Sequence, residues 1–251
     1  MTLSVIIITH NESGNIQDCL RSVAFADECI VLDGASDDDT AQLATDMRAK
    51  VITSAVWQGF GHQKNLALSH AQCDWVLSID ADERITPALA QEIQASMKQD
   101  RFDVYDLPRQ TNFCGSWIKH CGWTPDTVAR LFRRGSAAFS ADIVHERLTG
   151  PGFQRLGHLK HPMLHYSYPT PTHYWKKLQT YSQAWAEQQH AQGRQTTMWR
   201  AFFAAAFAFC KSYIFRLGFL DGAMGFAVCT MQAQAAFGKY FTLYHLNQSK
   251  R

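Results

Sequence analysis

The chain has 251 residues, 46% of them hydrophobic and 18% charged. That length lies near the upper end of what one hydrophobic core organises, and the composition excludes a disordered or collagen-like chain. The net charge of +2 conceals a polarity: residues 1–150 carry 13 Lys and Arg against 20 Asp and Glu, whereas residues 151–251 carry 11 against 2. An acidic part suited to holding cations is therefore joined to a basic part suited to an anionic partner. The turn signals Gly150, Pro151 and Gly152 mark the expected boundary, giving domains 1–150 and 151–251.

Seven scattered cysteines lack paired spacing and read as reduced thiols; Cys114, Cys121 and His120 do not make a zinc site, for want of a fourth ligand and short Cys spacing. Met1 leads directly into an apolar strand pattern without a basic leader, so a cytoplasmic location is expected. The longest uninterrupted apolar run, Ala201 to Cys210, falls short of the roughly 18–20 residues that span a bilayer.

In chain order, the first hundred residues alternate strand and helix signals. Leu3 to Thr9 reads as a strand, Gly14 to Phe25 as a helix with apolar spacing at Ile16, Cys19, Leu20 and Val23, and Cys29 to Leu32 as a strand. Asp37 to Arg48 follows as helix, Val51 to Thr53 as strand, Gly61 to His70 as helix and Trp75 to Ile79 as strand. Thr86 then caps a helix with Pro87 in its first turn, ending near Lys98. The pattern predicts an α/β domain with a mostly parallel sheet. From Asp103 come strand-like pieces around an insertion, Asn112 to Asp126, and after a His-rich stretch three helices are predicted at about Thr172–Gln189, Met198–Leu217 and Asp221–Leu243.

Ligands of open α/β sheets bind beyond the carboxyl ends of the strands, and here those ends are acidic. Strand one runs into Thr9, His10, Asn11 and Glu12, strand two into Asp33 and then Asp37 to Asp39, and the fourth into Asp80, Ala81 and Asp82. Converging carboxylates repel, and a divalent cation resolves the conflict. In an extended Asp-x-Asp both carboxylates project to one side, so one can bind a hard cation while the other holds a sugar hydroxyl or a metal-bound water.

The ordered segments Ser4-Val-Ile-Ile-Ile-Thr-His-Asn-Glu12, Val31-Leu-Asp-Gly-Ala-Ser-Asp-Asp-Asp-Thr40, Gly61-His-Gln-Lys-Asn65 and Ser78-Ile-Asp-Ala-Asp-Glu83 resemble the nucleotide-sugar half of family 2 glycosyltransferases. The resemblance is strong from Leu3 to Leu148, and the whole chain resembles the bacterial lipopolysaccharide core heptose β-1,4-glucosyltransferases. It implies a GT-A fold, a UDP-glucose donor, Mg²⁺ or Mn²⁺, a lipopolysaccharide core acceptor and work at the cytoplasmic face of the inner membrane. Carried onto this sequence, it implies that Thr9 and Glu12 line the nucleoside pocket and that Asp33 accepts the uracil imide hydrogen. Lys64 and Asn65 would stand near the nucleotide, Asp80 at ribose or sugar hydroxyls, and Asp82 on the metal. Asp38 matches the family's acid, while Asp37 and Asp39 read as helix N-terminal charges.

Inverting transfer needs a base for the acceptor hydroxyl, and Glu146, in a segment resembling the Val-His-Glu of this subfamily, is the candidate. His145 is assigned either to a phosphate or the metal shell or to structure, and Arg130 and Arg133 either to phosphate or to the surface. Trp117, Lys119, His120 and Trp123 in the insertion suit either acceptor contact or core packing, with packing favoured for the tryptophans. From Met198 to Leu220 an aromatic helix is interrupted only by Arg200, Lys211 and Arg216, which fits a membrane interface, a buried helix or a second subunit. The rival readings are another donor such as UDP-N-acetylglucosamine, a peptide acceptor, a nucleotidyltransferase and a non-catalytic lipid-binding protein. No nucleic-acid partner is expected, because the basic residues form no stripe.

Overall fold

The structure is a computed structural model that describes residues 1–140 and 146–248. The chain forms β1 (Leu3–Thr9), α1 (Ile16–Ser22), β2 (Glu28–Asp33), α2 (Thr40–Asp46), β3 (Lys50–Thr53), α3 (Phe60–Ser69) and β4 (Trp75–Asp80). It continues through β5 (Glu83–Ile85), α4 (Pro87–Met97), β6 (Val104–Phe113), β7 (Ser116–Trp117), β8 (Thr127–Arg133), β9 (Ala138–Phe139) and β10 (Leu148–Thr149). Then follow β11 (Leu156–His158), β12 (Met163–Tyr168) and three helices, α5 (Pro171–Ala191), α6 (Met198–Cys210) and α7 (Gly222–Gln248).

Two compact units emerge, 1–109 with 126–165 and 110–125 with 166–251. The expected boundary at Gly150 is therefore displaced. Residues 151–165 stay with the first unit because β11 pairs with β6 (Leu156 opposite Val104) and β12 with β5 (Met163 opposite Ile85). The insertion stays with the helices instead, through Cys121 N–H donating to Arg216 O at 3.1 Å and Gln232 Nε2 donating to Cys121 O at 3.1 Å.

In the first unit the sheet runs β3-β2-β1-β4-β8-β6-β12-β5. The first four strands are parallel, and β8 joins β4 and β6 antiparallel. Every residue of β1 is buried, as expected of a strand covered on both faces. Alternation sends Val5 and Ile7 into a core with Ile16, Leu20, Leu77, Leu89 and Ile93, and Ile6 and Ile8 into another with Ile30, Ala67, Val76, Phe132 and Phe139. The predicted cap of α4 is present: Thr86 Oγ1 accepts from Leu89 N–H at 3.2 Å, with Pro87 in the first turn.

The second unit holds a separate core of Phe113, Ile118, Cys121, Tyr174, Val228, Cys229 and Met231. The helix predicted over Met198–Leu217 stops early. α6 ends at Cys210 and passes through a π-helical turn, Lys211–Phe215, to Leu217 in the left-handed region (φ 54°). The segments Met198–Phe215 and Gly218–Gln248 meet at a bend of 73°. Small residues permit this elbow, since a Cβ on Gly225 would stand 1.9 Å from Gly218 O. All seven cysteines are free thiols, as expected.

Gly61, in the first turn of α3, is the tightest seat near the sheet's carboxyl edge. A Cβ there would lie 2.0 Å from Ser140 O and 3.4 Å from Glu146 Cβ. Gly61→Ala is expected to destabilise the chain by about 1–3 kcal/mol, the usual cost of overpacking, as measured by urea denaturation.

Candidate active site

At the carboxyl end of β4 the first unit opens a cavity of about 580 Å³, within the size range of small-molecule sites. Lys64, Asp80, Arg109, Arg130, Phe139 and Glu146 are among its lining residues. Each charged group arrives on a different piece of chain: Lys64 on α3, Asp80 as the last residue of β4, Arg130 on β8, Arg109 on β6 and Glu146 just before β10.

These side chains form one alternating network. Lys64 Nζ lies 2.8 Å from Glu146 Oε1 and 3.0 Å from Asp80 Oδ1. Arg130 Nη2 lies 2.7 Å from Asp80 Oδ2 and 2.9 Å from Glu83 Oε1. Arg109 Nη1 reaches the same Glu83 oxygen at 3.5 Å, and its Nη2 meets Asp126 Oδ2 at 2.7 Å. The side chains of Lys64, Arg130 and Glu83 are 4%, 7% and 0% exposed, so the pairs are shielded from solvent and breaking one leaves a buried charge unmatched.

Burial works to raise the Asp80 carboxyl, but the adjoining Arg130 and Lys64 charges overcome it and hold the group well below the usual carboxylate range. Burial raises Glu83 above its ordinary value, with Arg130 opposing and the neighbouring Asp80 carboxylate reinforcing the rise. Glu83 Oε2 also accepts from the Asp80 N–H at 2.8 Å, fixing the turn that carries the Asp-Ala-Asp segment. Asp82 takes a separate partner, its Oδ2 lying 3.3 Å from His165 Nε2. The opposite ring nitrogen, His165 Nδ1, is buried and has no hydrogen-bond partner among the described residues.

The remaining sequence candidates hold the edge of the sheet together. Thr9 Oγ1 donates to Asp33 Oδ1 at 3.1 Å, and Asp33 also accepts from Ser36 N–H at 2.9 Å; both Thr9 and Asp33 are buried. Glu12 Oε2 accepts from Asn15 Nδ2 at 2.8 Å. Asn65 spends its amide on the Phe139 backbone, donating to the carbonyl at 2.8 Å and accepting from the N–H at 2.9 Å, and so positions a cavity wall. Thr40 and Ser13 hold the Asp38 carboxyl down at about 2, with burial opposing them.

The structure thus gathers Lys64, Asp80, Arg130 and Glu146 around one hollow, while Thr9, Glu12, Asp33, Asn65 and Asp82 are not among its lining residues. Trp117 belongs to the second unit, where it packs edge-on to Tyr166 with ring centroids 5.3 Å apart. Trp123 packs there against Phe113 and Tyr168. Arg133 is a structural residue, its guanidinium 4.8 Å from the Trp75 ring centre and paired with Asp100 and Asp103. His145 lies outside the described residues. Sequence reasoning missed Arg109 and His165, which enter through long-range strand pairing; the His-rich stretch was the only local signal for His165.

Residues 4–155 match the description "Glycosyl transferase family 2". The chain belongs to that family. A glycosyltransferase of Rickettsia typhi is 30% identical over 260 residues, covering 99% of this chain and 89% of the relative. The lipopolysaccharide core biosynthesis glycosyltransferase LpsC of Rhizobium meliloti is 28% identical over 250 residues, covering 94% and 90%. Among solved structures, S. aureus TarS 1–349 superposes with a TM-score of 0.50 at 16% identity, covering all of this chain and 91% of that fragment. This family 2 glycosyltransferase has the α/β GT-A fold with a C-terminal helical region.

Because the network alternates in sign, deleting Arg130 removes one cationic partner from each of two carboxylates, Asp80 and the fully buried Glu83. Arg130→Met is expected to lower unfolding stability by about 3–5 kcal/mol. A loss below about 1 kcal/mol, typical of exposed pairs, would show the network to be ordinary surface chemistry.

Proposed function

We propose that this family 2 glycosyltransferase is an inverting enzyme that moves glucose from UDP-glucose to a heptose of the lipopolysaccharide inner core. The observation that carries the reading is the cavity at the end of β4, where four cations (Lys64, Arg109, Arg130 and Arg147) and two carboxylates (Asp80 and Glu146) line a space of about 580 Å³. A diphosphate needs cations, a sugar needs hydrogen-bond acceptors and an acceptor hydroxyl needs a base; the lining supplies all three. The four-segment resemblance supports the donor, and the similarity to LpsC supports the acceptor.

Glu146 is the base. It takes the proton of the acceptor hydroxyl as that oxygen attacks the anomeric carbon from the face opposite the leaving diphosphate, which inverts the centre. Lys64, 2.8 Å from Glu146 and 3.0 Å from Asp80, positions both carboxylates. Asp80, tied on both oxygens to Lys64 and Arg130, is left to accept sugar hydroxyls.

Asp82 and His165 fit a divalent cation. A carboxylate oxygen and an imidazole nitrogen 3.3 Å apart are a suitable donor pair for Mg²⁺ or Mn²⁺, which commonly take one or two protein ligands and complete their shell with substrate phosphates. Among the described residues no group of three or more His, Cys, Asp or Glu side chains stands ready to hold a metal. The bound cation would supply Lewis-acid stabilisation of the departing diphosphate.

Asp82→Ala and Glu146→Gln are each expected to lower transfer at least 100-fold, with the folded far-UV circular dichroism spectrum retained. Transfer is read with labelled donors, UDP-glucose against UDP-N-acetylglucosamine, on membranes lacking core glucose. Normal turnover in either variant would remove its assigned role, and transfer of a different sugar or to a peptide would replace the donor or acceptor.

We further propose that the enzyme works as a peripheral protein at the cytoplasmic face of the inner membrane. Trp199, Phe203, Phe207 and Phe215 are 72%, 64%, 65% and 75% exposed along α6 and the turn beyond it. Asp221 is the only acidic residue after Glu187, against Arg194, Arg200, Lys211, Arg216, Lys239, Lys250 and Arg251. Exposed aromatics with cationic neighbours suit the interface of an anionic bilayer. Among the described residues no single helix is long and apolar enough to cross a membrane, although the bent pair at the elbow has the combined length and composition. Replacing Phe203, Phe207 and Phe215 together by Ser is expected to reduce co-sedimentation with phosphatidylglycerol vesicles at least tenfold. Unchanged binding would place the membrane contact elsewhere.

A further inference from the structure

The second unit contains a cavity of its own, about 150 Å³, lined by Tyr168, Tyr174, Lys177, Tyr181, Ser182 and Lys239 among others. α5 supplies two rows at four-residue spacing, Tyr174, Leu178 and Ser182 and beside them Lys177 and Tyr181, so they share one side of the helix. α7 supplies Ala235 and Lys239 from the opposite wall. Gly238 keeps that wall low beside Ser182, since a Cβ there would sit 3.6 Å from Ser182 Oγ.

Three observations point to a ligand. First, Ser182 is 5% exposed and its hydroxyl has no hydrogen-bond partner among the described residues. Helical Ser and Thr usually satisfy themselves on the carbonyl four residues back, as Thr180, Ser212 and Thr230 do here. Ser182 forgoes this bond and lines the cavity instead. Second, two ammonium groups border the space and, among the described residues, no carboxylate does. Lys239 forms no ion pair among the described residues, and Lys177 has only the Ser167 carbonyl at 3.4 Å and the Tyr168 ring at 5.0 Å. Third, the walls are tyrosines, whose flat faces suit a sugar ring and whose hydroxyls suit its oxygens.

We propose that this pocket binds a phosphorylated sugar, with the phosphate between Lys177 and Lys239 and the Ser182 hydroxyl donating to it. One tetrahedral phosphate group and part of a sugar ring match the volume. The inference rests on the acceptor reading above only in naming a glycolipid headgroup as one source of that chemistry; a free sugar phosphate is the other. It assigns the second unit a recognition task separate from the donor cavity.

Calorimetric titration of the full chain tests it, with glucose 6-phosphate, glucose and monophosphoryl lipid A in detergent micelles as probes and UDP as a parallel measurement. Glucose 6-phosphate is expected to bind at least tenfold more tightly than glucose. The Lys177→Ala, Lys239→Ala double variant should weaken that binding at least tenfold while leaving UDP binding within twofold. Ser182→Ala should weaken it at least threefold with the melting temperature unchanged or raised, an outcome that a purely structural serine would not give. Tighter, lysine-dependent binding of the lipid micelles supports the pocket and assigns the glycolipid source, whereas tighter binding of glucose 6-phosphate supports it and assigns the soluble one. Equal binding of glucose and glucose 6-phosphate, or binding unaltered in the double variant, would overturn the proposal. Binding of the sugar phosphate without any binding of UDP would support this pocket and count against the donor reading.

Discussion

The candidate active site depends on one constraint: four carboxylates and three cations can be taken out of water together only if they alternate. Glu146, Lys64, Asp80, Arg130, Glu83, Arg109 and Asp126 follow one another in that order. Ion burial costs several kcal/mol per group unless geometry and further hydrogen bonds compensate it. Here every internal member touches partners of opposite sign on both sides, and the Asp80 N–H completes the shell of Glu83. The same arrangement fixes what the cavity presents to a ligand. It sets Lys64, Arg109, Arg130, Asp80 and Glu146 around one space, each paired with a neighbour of opposite sign.

The sheet explains how residues so far apart in the chain meet. Parallel strands β3-β2-β1-β4 end at one edge, which places Asp33 and Asp80 there, and antiparallel β8 and β6 bring Arg130 and Arg109 beside them. β12, returning along β5, sets His165 opposite Glu83 and so beside Asp82. Turn geometry supports the edge. Asn11 adopts a positive φ of 58°, accessible to Asn, and its Oδ1 accepts from the Asp37 N–H. The loops after β1 and β2 are thereby tied to each other.

Much of this was legible in the sequence because it is local. Apolar runs rich in Val and Ile, the Thr86-Pro87 cap and the acidic strand ends are signals within a few residues, and they placed β1 to β4, α4 and the Asp80 segment correctly. Arg109 and His165 were not legible, since nothing near them in the chain says which strand they will pair beside. Asn65 was read as a nucleotide neighbour, whereas the structure spends its amide on Phe139, a bond across 74 positions. The elbow after α6 was hidden for a different reason. The run from Met198 to Phe219 is mostly apolar, broken by Arg200, Lys211, Ser212 and Arg216, and carries no proline, and the bend is accompanied by the close approach of Gly218 and Gly225. The unit boundary moved from Gly150 for a related cause, strand pairing having recruited residues 151–165 to the sheet.

The central claim is that the charged cavity at the end of β4 is the donor site and that the Asp82–His165 pair beside it holds the cation. Anomalous diffraction from a crystal grown with UDP and Mn²⁺ measures both at once. The account predicts a manganese peak within bonding distance of Asp82 and His165, with the diphosphate lying in the hollow lined by Lys64, Asp80, Arg130 and Glu146. Manganese bound away from both residues, or UDP seated outside that hollow, would contradict it.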